Sequence, residues 1–324
     1  MKNLTLLGIL ISFCWLKTCQ ANENLAYTIY HKQVMTAESF IASENYAAAL
    51  RVYEALFDHF EFIFLRDYQI ATQLALFLDE KQKVKIFLSK AIASGWQMKS
   101  IKQNDFLDEF RKSNDWKSIK HQYRRLHKKY EATLNQKLRK KVKKMYSKDQ
   151  WKAIGALFRF SSKAQDSYAE KIVAPHSEKQ LKEFLSIEEK YGYPGEKLIG
   201  NDYWMSTILS HHNSISTAYN TKDTLYQSIQ PKVKHALEKG QISAFEVVLI
   251  DEWNRAVIHD KKRPTYGILE GPLQKDLAAT NRLREAVYLR TIEVHNKLVD
   301  LQEKTGMNFY LGGHPWAEGK IEIR

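Results

Sequence analysis

The sequence predicts a mainly α-helical fold, and three observations carry that expectation. Only 6 prolines and 13 glycines interrupt 324 residues. The remainder is rich in Leu, Ala, Lys, Glu and Gln, which lose little on entering a helix. Apolar residues recur every three or four positions through most of the chain, the spacing that puts them on one helical face. Hydrophobic residues at 44% and aromatics at 12% supply cores for two domains rather than one, and exclude a disordered chain.

The first residues read as an export signal. Lys2 gives a positive start, Leu4 to Leu16 an apolar run, and Cys19-Gln20-Ala21 a small-x-small cleavage site, so the expected cut follows Ala21 and residues 1–21 are a signal peptide. The run is too short for an ordinary spanning helix. A lipoprotein reading with Cys19 acylated has to accept Lys17 two positions before it. Cys14 and Cys19 are the only cysteines, so the mature chain is expected to hold no disulfide, thiolate metal site or cysteine nucleophile. The expected location is the periplasm, outer envelope or exterior.

Residues 22–130 read as helical hairpins. Ala37, Phe40 and Ile41 mark one helix, Ser43-Glu44-Asn45 a break, and Tyr46, Ala49, Leu50, Tyr53 and Leu56 the next. A like unit follows, with Ala71, Leu74, Ala75 and Leu78, a break at Asp79 to Gln82, then Val84, Phe87, Leu88 and Ala91. Leu56 and Ala91 stand 35 positions apart, close to the ~34-residue tetratricopeptide period, and NYAAALRVYEAL resembles the second helix of such a repeat. No proline closes either unit. Ser94-Gly95 should cap the fourth helix, and Asn104-Asp105 and Asn114-Asp115 should begin further ones. Repeats of this kind offer a surface to a protein or peptide partner.

A single long basic helix is expected from Trp116 to Met145, with Ile119, Tyr123, Leu126, Tyr130, Leu134 and Leu138 as its narrow seam. Arg111 to Lys152 holds 16 basic residues and 3 acids, an excess equal to the +13 of the whole chain. The charge therefore describes one segment, and with an export signal it makes nucleic acid an improbable ligand. Two readings stay open: a solvated spacer, or a surface for anionic polymers or lipid headgroups through Arg139, Lys140, Lys143 and Lys144.

Residues 131–324, beginning with that basic helix, read as a second helical domain with irregular loops. Its centre is Asn201 to Tyr219, read as one amphipathic helix with Trp204, Ile208, Ile215 and Tyr219 facing a core and His211 on the same stripe. A polar ring on a buried stripe needs polar partners. Around it stand a helix stopped by Gly192 and Pro194, one broken or restarted at Pro231, one capped by Ser243, and a long final helix from Arg282 to Leu301. His259 to Pro264 is a basic loop, and Gly306 to Arg324 an irregular tail with Gly312-Gly313-His314-Pro315 as a turn.

Several pieces recur in a fixed order: Asp149-Gln150, Ile187 with Gly192 and Pro194, Ile199-Gly200, His211, Asn254-Arg255, Tyr266-Gly267, and Asn281 with Arg284. In that order the chain resembles secreted bacterial proteins of unknown function that join a tetratricopeptide-like N-terminus to an uncharacterised helical domain. The resemblance covers about Leu134 to Leu289. The family pattern has Asp-Arg where this chain has Asn254-Arg255, Gln where it has Pro264, and Arg where it has Lys152. An amide at 254 cannot serve as a general base. The resemblance implies a fold and a set of positions rather than a reaction.

The candidate polar site therefore comprises Asp149, Gln150, His211, Asn254, Arg255, Tyr266 and Arg284, with His211, Arg255 and Tyr266 expected close together. An arginine there could grip a carboxylate or phosphate and His211 could move a proton; equally, the set could be a buried network fixing helix packing. Asp251 and Glu252 are adjacent and should diverge, with Glu252 nearer the apolar face and able to pair with Arg255 or His259. No metalloprotease, nucleophile-elbow, phosphate-loop or dinucleotide motif occurs, and no cofactor or metal is expected. The expectation is a non-catalytic binding protein, with protein or peptide held by the repeats and a polar pocket in the second domain. The alternative is an envelope hydrolase or transferase using His211 with Arg255 or Arg284.

Overall fold

The computed structural model describes residues 27–258, 264–312 and 319–324, without the side chains of 156, 157 and 162. The expected signal segment with Cys14 and Cys19, most of the basic loop, and His314-Pro315 lie outside the described residues. The fold is mainly α, and no strand occurs among the described residues. None of their helices is long and apolar enough to cross a membrane.

The N-terminal half opens with α1 (27–42), α2 (Tyr46–His59), α3 (Leu65–Phe77) and α4 (Lys81–Ala93). The breaks fall where expected. Glu44 and Asp79 take positive φ there, and Asn45 caps α2 by accepting the Ala48 N–H. Leu56 and Ala91 are both buried in one core with Tyr30, Leu74, Leu88 and Trp96. After α5 (Met98–Lys102) and α6 (Asp108–Arg111), α7 (Asn114–Thr133) packs on α4, started by Ser113, which accepts the Trp116 N–H.

The long basic helix is two helices. α7 stops at Thr133, and α8 (Gln136–Leu157) begins after Leu134 and Asn135. Leu134 is extended at φ −82°, ψ 141°. Asn135 accepts the Leu138 N–H at 3.0 Å, so its side chain starts a new helix instead of continuing the old one.

The second half continues with α9 (Ser162–Tyr168), a π-helical turn at Ala169–Val173, α10 (Ala174–Tyr191) and α11 (Glu196–Ile199). α12 (Trp204–Asn213), α13 (Thr217–Asn220), α14 (Leu225–Glu238) and α15 (Ala244–Ile258) follow. The stretch from Asn201 to Tyr219 is thus not one helix. Ser216 accepts the Tyr219 N–H and restarts the chain as α13. Ile208 enters the second core, whereas Ile215 and Tyr219 join a small cluster with Ala169 and Ala174. α14 runs through Pro231, whose exposed position leaves the carbonyl one turn earlier open to water. Ser243 and Glu246 start α15 with reciprocal bonds, each side chain meeting the other's backbone N–H.

The final helix is also divided, into α16 (Leu277–Ala286) and α17 (Ile292–Thr305). Tyr288 takes φ 60° between them, and Thr291 accepts the Val294 N–H. α17 returns to the first core: Leu298, Leu301, Met307 and Phe309 are buried there. The amide of Gln73 grips the Asn308 backbone both ways, at 2.7 and 2.8 Å, and Arg66 bonds the carbonyls of Phe309 and Tyr310. The N-terminal helices thus hold the irregular segment that follows α17.

The halves are joined by ions as well as by apolar contacts. Glu38 on α1 pairs with Arg66 and, at 2.7 Å, with Arg290. Glu196 on α11 accepts the Leu65 N–H at 2.6 Å and so caps α3 from the other half. Arg139 bonds the Ile199 carbonyl, pairs with Asp202 at 2.6 Å and lies 4.8 Å above the Trp204 ring.

Candidate functional site

α12 is the axis of the second half, and its consecutive residues face different neighbours because a helix turns about 100° per residue. Ser210 and Asn213 bond the Leu249 and Ile250 carbonyls on α15. His211 turns to α8, where its Nδ1 meets Asp149 Oδ2 at 2.5 Å. His212 turns to α10 and the start of α14, with Nδ1 2.9 Å from Ser177 Oγ and Nε2 3.0 Å from Asp223 Oδ2.

The buried histidine is therefore His212, with no exposure, whereas the His211 side chain is 30% exposed. Ile208 and Ile215 are buried as the stripe predicts, but the buried face of α12 is wide enough to take in Met205, Leu209 and His212 and leaves His211 at its edge. Ser177, His212 and Asp223 are the residue types of a hydrolytic triad, but Ser177 is 1% exposed, so its hydroxyl meets no substrate. Asp223 also accepts the N–H groups of Leu225 and Tyr226, at 2.9 and 3.1 Å, which makes it the cap of α14. This chain of bonds fixes three helices.

The residues singled out in the sequence separate into two groups. Asp149 and His211 form one, with Gln150 beside them; the Gln150 Nε2 is buried without a hydrogen bond among the described residues. His176 joins this group: burial lowers its pKa while the charge of Asp149 opposes the shift. Arg255, Tyr266 and Arg284 form the other. No hydrogen bond, ion pair or ring contact joins His211 to Arg255 or Tyr266 among the described residues. Asn254 is half-buried on α15, with no side-chain bond among them.

The second group is organised by Asp251. Its Oδ2 accepts the Arg255 Nε–H at 2.6 Å and the Tyr266 hydroxyl at 2.9 Å. Its Oδ1 accepts the Tyr226 hydroxyl at 3.1 Å and the Gln230 amide at 3.2 Å. The Arg255 guanidinium lies 5.2 Å from the Tyr266 ring centre. Burial and the Asp251 charge raise both phenols, so they stay protonated donors. Burial lowers Arg255, but Asp251 and Tyr266 together, through charge and hydrogen bonds, raise it overall.

Glu252 does diverge from Asp251; it makes no ion pair with Arg255 among the described residues, and His259 lies outside them. The Glu252 carboxylate accepts the N–H groups of Tyr266, Ile268 and Leu269 at 2.6, 2.8 and 3.2 Å. Arg284 holds the same loop from the other side, donating to the Tyr266 carbonyl at 2.7 Å and the Arg290 carbonyl at 2.6 Å. It is 1% exposed, and burial with the nearby Arg290 pushes it down to about 9. Arg284 thus positions Tyr266 and does not reach a ligand.

Beside Asp251 opens a cleft of about 380 Å³ between α14, α15 and the turn at Val287-Tyr288. Val233, Leu237, Val247 and Val287 form its apolar wall, and Gln230, Lys234, Arg255 and Tyr266 its polar edge. Asp251 was not among the candidates, although its i,i+4 spacing to Arg255 was the available signal. Among the described residues no group of three or more His, Cys, Asp or Glu side chains is placed to hold a metal ion. No protein-family model, curated protein or solved structure was found to match the chain.

Proposed function

We propose that the chain is an exported, non-catalytic binding protein whose second domain takes a small ligand with an apolar body and an acidic group. The cleft beside Asp251 carries this reading. It pairs an apolar wall with Arg255 held rigid by Asp251 and Tyr266, the combination by which pockets fix ligand orientation. A preset guanidinium loses little freedom on gripping a carboxylate or phosphate. The hydrolase alternative has less support, since Arg284 is sealed and no bond or ring contact among the described residues joins His211 to Arg255. The peptide-binding role of the N-terminal helices is exercised at least in part on residues 307–310 of the same chain.

Protein purified from its export compartment should carry a small molecule detectable by native mass spectrometry. Arg255→Ala should lose that mass while keeping its helical circular dichroism. A parent with no bound mass, and no thermal stabilisation by a panel of carboxylates and phosphates, would sink the reading.

A second reading has its own observation. Trp151, Phe158 and Phe160, at 76%, 68% and 101% exposure, stand at the end of the lysine-rich face of α8. Exposed aromatics beside lysines suit an anionic lipid surface, with rings at the headgroup level and ammonium groups on phosphates.

A further inference from the structure

Where α1, α3 and α11 meet the turn after α16, the halves enclose a cavity of about 90 Å³. It is lined by three carboxylates, Glu38, Asp67 and Glu196, and two guanidiniums, Arg66 and Arg290. The hydrogen bonds decide which of these are available.

The cations are engaged. Arg66 donates to Glu38 and to the carbonyls of Tyr310 at 2.9 Å and Phe309 at 3.2 Å. Arg290 donates to Glu38 at 2.7 Å, to the Leu311 carbonyl at 2.5 Å and to His295 at 3.4 Å. Glu38 is thereby engaged as well. The other two acids keep capacity. Asp67 is 3% exposed; its Oδ2 takes the Tyr30 hydroxyl, while its Oδ1 is buried with no hydrogen bond, the nearest cation being Arg66 Nη1 at 3.6 Å. Glu196 takes the Leu65 N–H on Oε1 at 2.6 Å, and Oε2 has no hydrogen bond among the described residues. Much of the remaining wall is aromatic, with Tyr30, Phe64, Tyr203, Phe245, Tyr288 and Tyr310 among aliphatic residues.

We infer that this cavity is a binding site for a primary ammonium group, held between Asp67 and Glu196 and against the surrounding rings. Carboxylate oxygens supply its acceptors, and aromatic faces attract a cation that has left water. An anion would meet three carboxylates, and the one guanidinium nitrogen without a hydrogen bond, Arg66 Nη1, already faces Asp67 at 3.6 Å. Calcium and magnesium prefer six or more oxygen ligands, more than the two acids offer, and no three His, Cys, Asp or Glu side chains among the described residues are placed to hold any metal ion. The volume equals about three water molecules, so it admits a head of about three heavy atoms, and Tyr203, 56% exposed, marks the way in. Burial lifts Glu196, which has no cation beside it, to about 8, and lifts Asp67 to about 6 against the opposing charge of Arg66. An arriving ammonium favours their ionised forms and so releases a proton near neutrality. Asp67, Arg66, Glu38, Arg290, His31 and the phenols of Tyr30, Tyr203, Tyr288 and Tyr310 share the cavity with Glu196, and the charge of Glu246 also raises it.

Calorimetry on the full chain tests this with two probes, ethylammonium chloride and a blocked Gly-Lys-Gly peptide. Saturable binding with proton release at pH 7 is expected, weakened tenfold or more in Asp67→Asn and Glu196→Gln. Tyr203→Ala, at the exposed rim, should weaken it while leaving the fold intact. Tighter binding of the peptide would identify a protein lysine as the natural group, and tighter binding of ethylammonium a free amine. No saturable binding of either probe, equal binding of uncharged propanol, or indifference to all three substitutions would overturn the inference.

Discussion

Glu38 and Glu196 line the same cavity and behave in opposite ways. Burial penalises both carboxylates, but the Arg290 and Arg66 charges outweigh it at Glu38 and hold that group below its ordinary value, whereas Glu196 rises to about 8. The difference lies in partners rather than depth. Glu38 has two guanidiniums; Glu196 has one backbone N–H. A closed ionic lock and an open acidic site can therefore sit side by side, and burial alone does not tell them apart.

The sharpest way to break the comparison is to open the lock. Glu38→Ala leaves Arg66 and Arg290 facing each other without a counter-charge. Removing one partner of a buried pair typically costs about 3–5 kcal/mol, and urea unfolding at pH 7 should show a loss of that size. A loss under about 1 kcal/mol would mean that the guanidiniums find other acceptors, and the distinction between the two acids would fail.

The next effect concerns pH. Glu196 moves from 4.5 to about 8 on folding, so between those values the native state binds more protons than the unfolded chain. Stability then falls as pH rises through that window, and Asp67 adds to the fall between 3.8 and about 6. His31 acts at the acid side: burial lowers it from 6.5 to about 4, so stability also falls as pH drops through that interval. Glu196→Gln keeps an acceptor for the Leu65 N–H but cannot ionise. Its stability relative to the parent should improve steadily from pH 5 to 8 and then level off. A constant difference across that range would show that Glu196 is an ordinary surface-like acid.

The lock and the open acid were both invisible in the sequence, for the same reason: Glu38 and Arg290 stand 252 positions apart, and no spacing rule spans that distance. What periodicity does carry was legible. The first four helices, the breaks at 43–45 and near 79, and the Ser243 start of α15 follow from local rules. The divided helices mark where local rules compete. Asn135, Ser216 and Thr291 each lie inside a continuous apolar rhythm, yet each side chain captures a backbone N–H three residues on and restarts the helix. In the candidate site, the Arg255 and Tyr266 positions were readable, but their organiser Asp251 was set aside as one of two adjacent acids. His211 was preferred to His212 because a stripe is wider than one residue, and only the facing helices decide which ring is covered.

The smallest stability effect is expected on α8, where the cations differ as the acids do. Arg139 is engaged by the Ile199 carbonyl, Asp202 and the Trp204 ring, so reversing its charge should cost about 1–3 kcal/mol through broken, partly buried bonds. Lys140 and Lys144 are exposed, and Lys143 only rests 5.9 Å above the Trp204 ring. Exposed substitutions of this kind usually stay within about 0.5 kcal/mol. Lys140→Glu, Lys143→Glu and Lys144→Glu together should therefore leave urea unfolding nearly unchanged. If α8 meets a lipid surface, the same triple variant should lose sedimentation with anionic phospholipid vesicles, the parent's binding should weaken as salt screens it, and removing Trp151, Phe158 and Phe160 should weaken the remainder. Parent and triple variant sedimenting equally would make the basic face a solvated spacer, and Arg139 would be the one residue of its four candidates with a defined task.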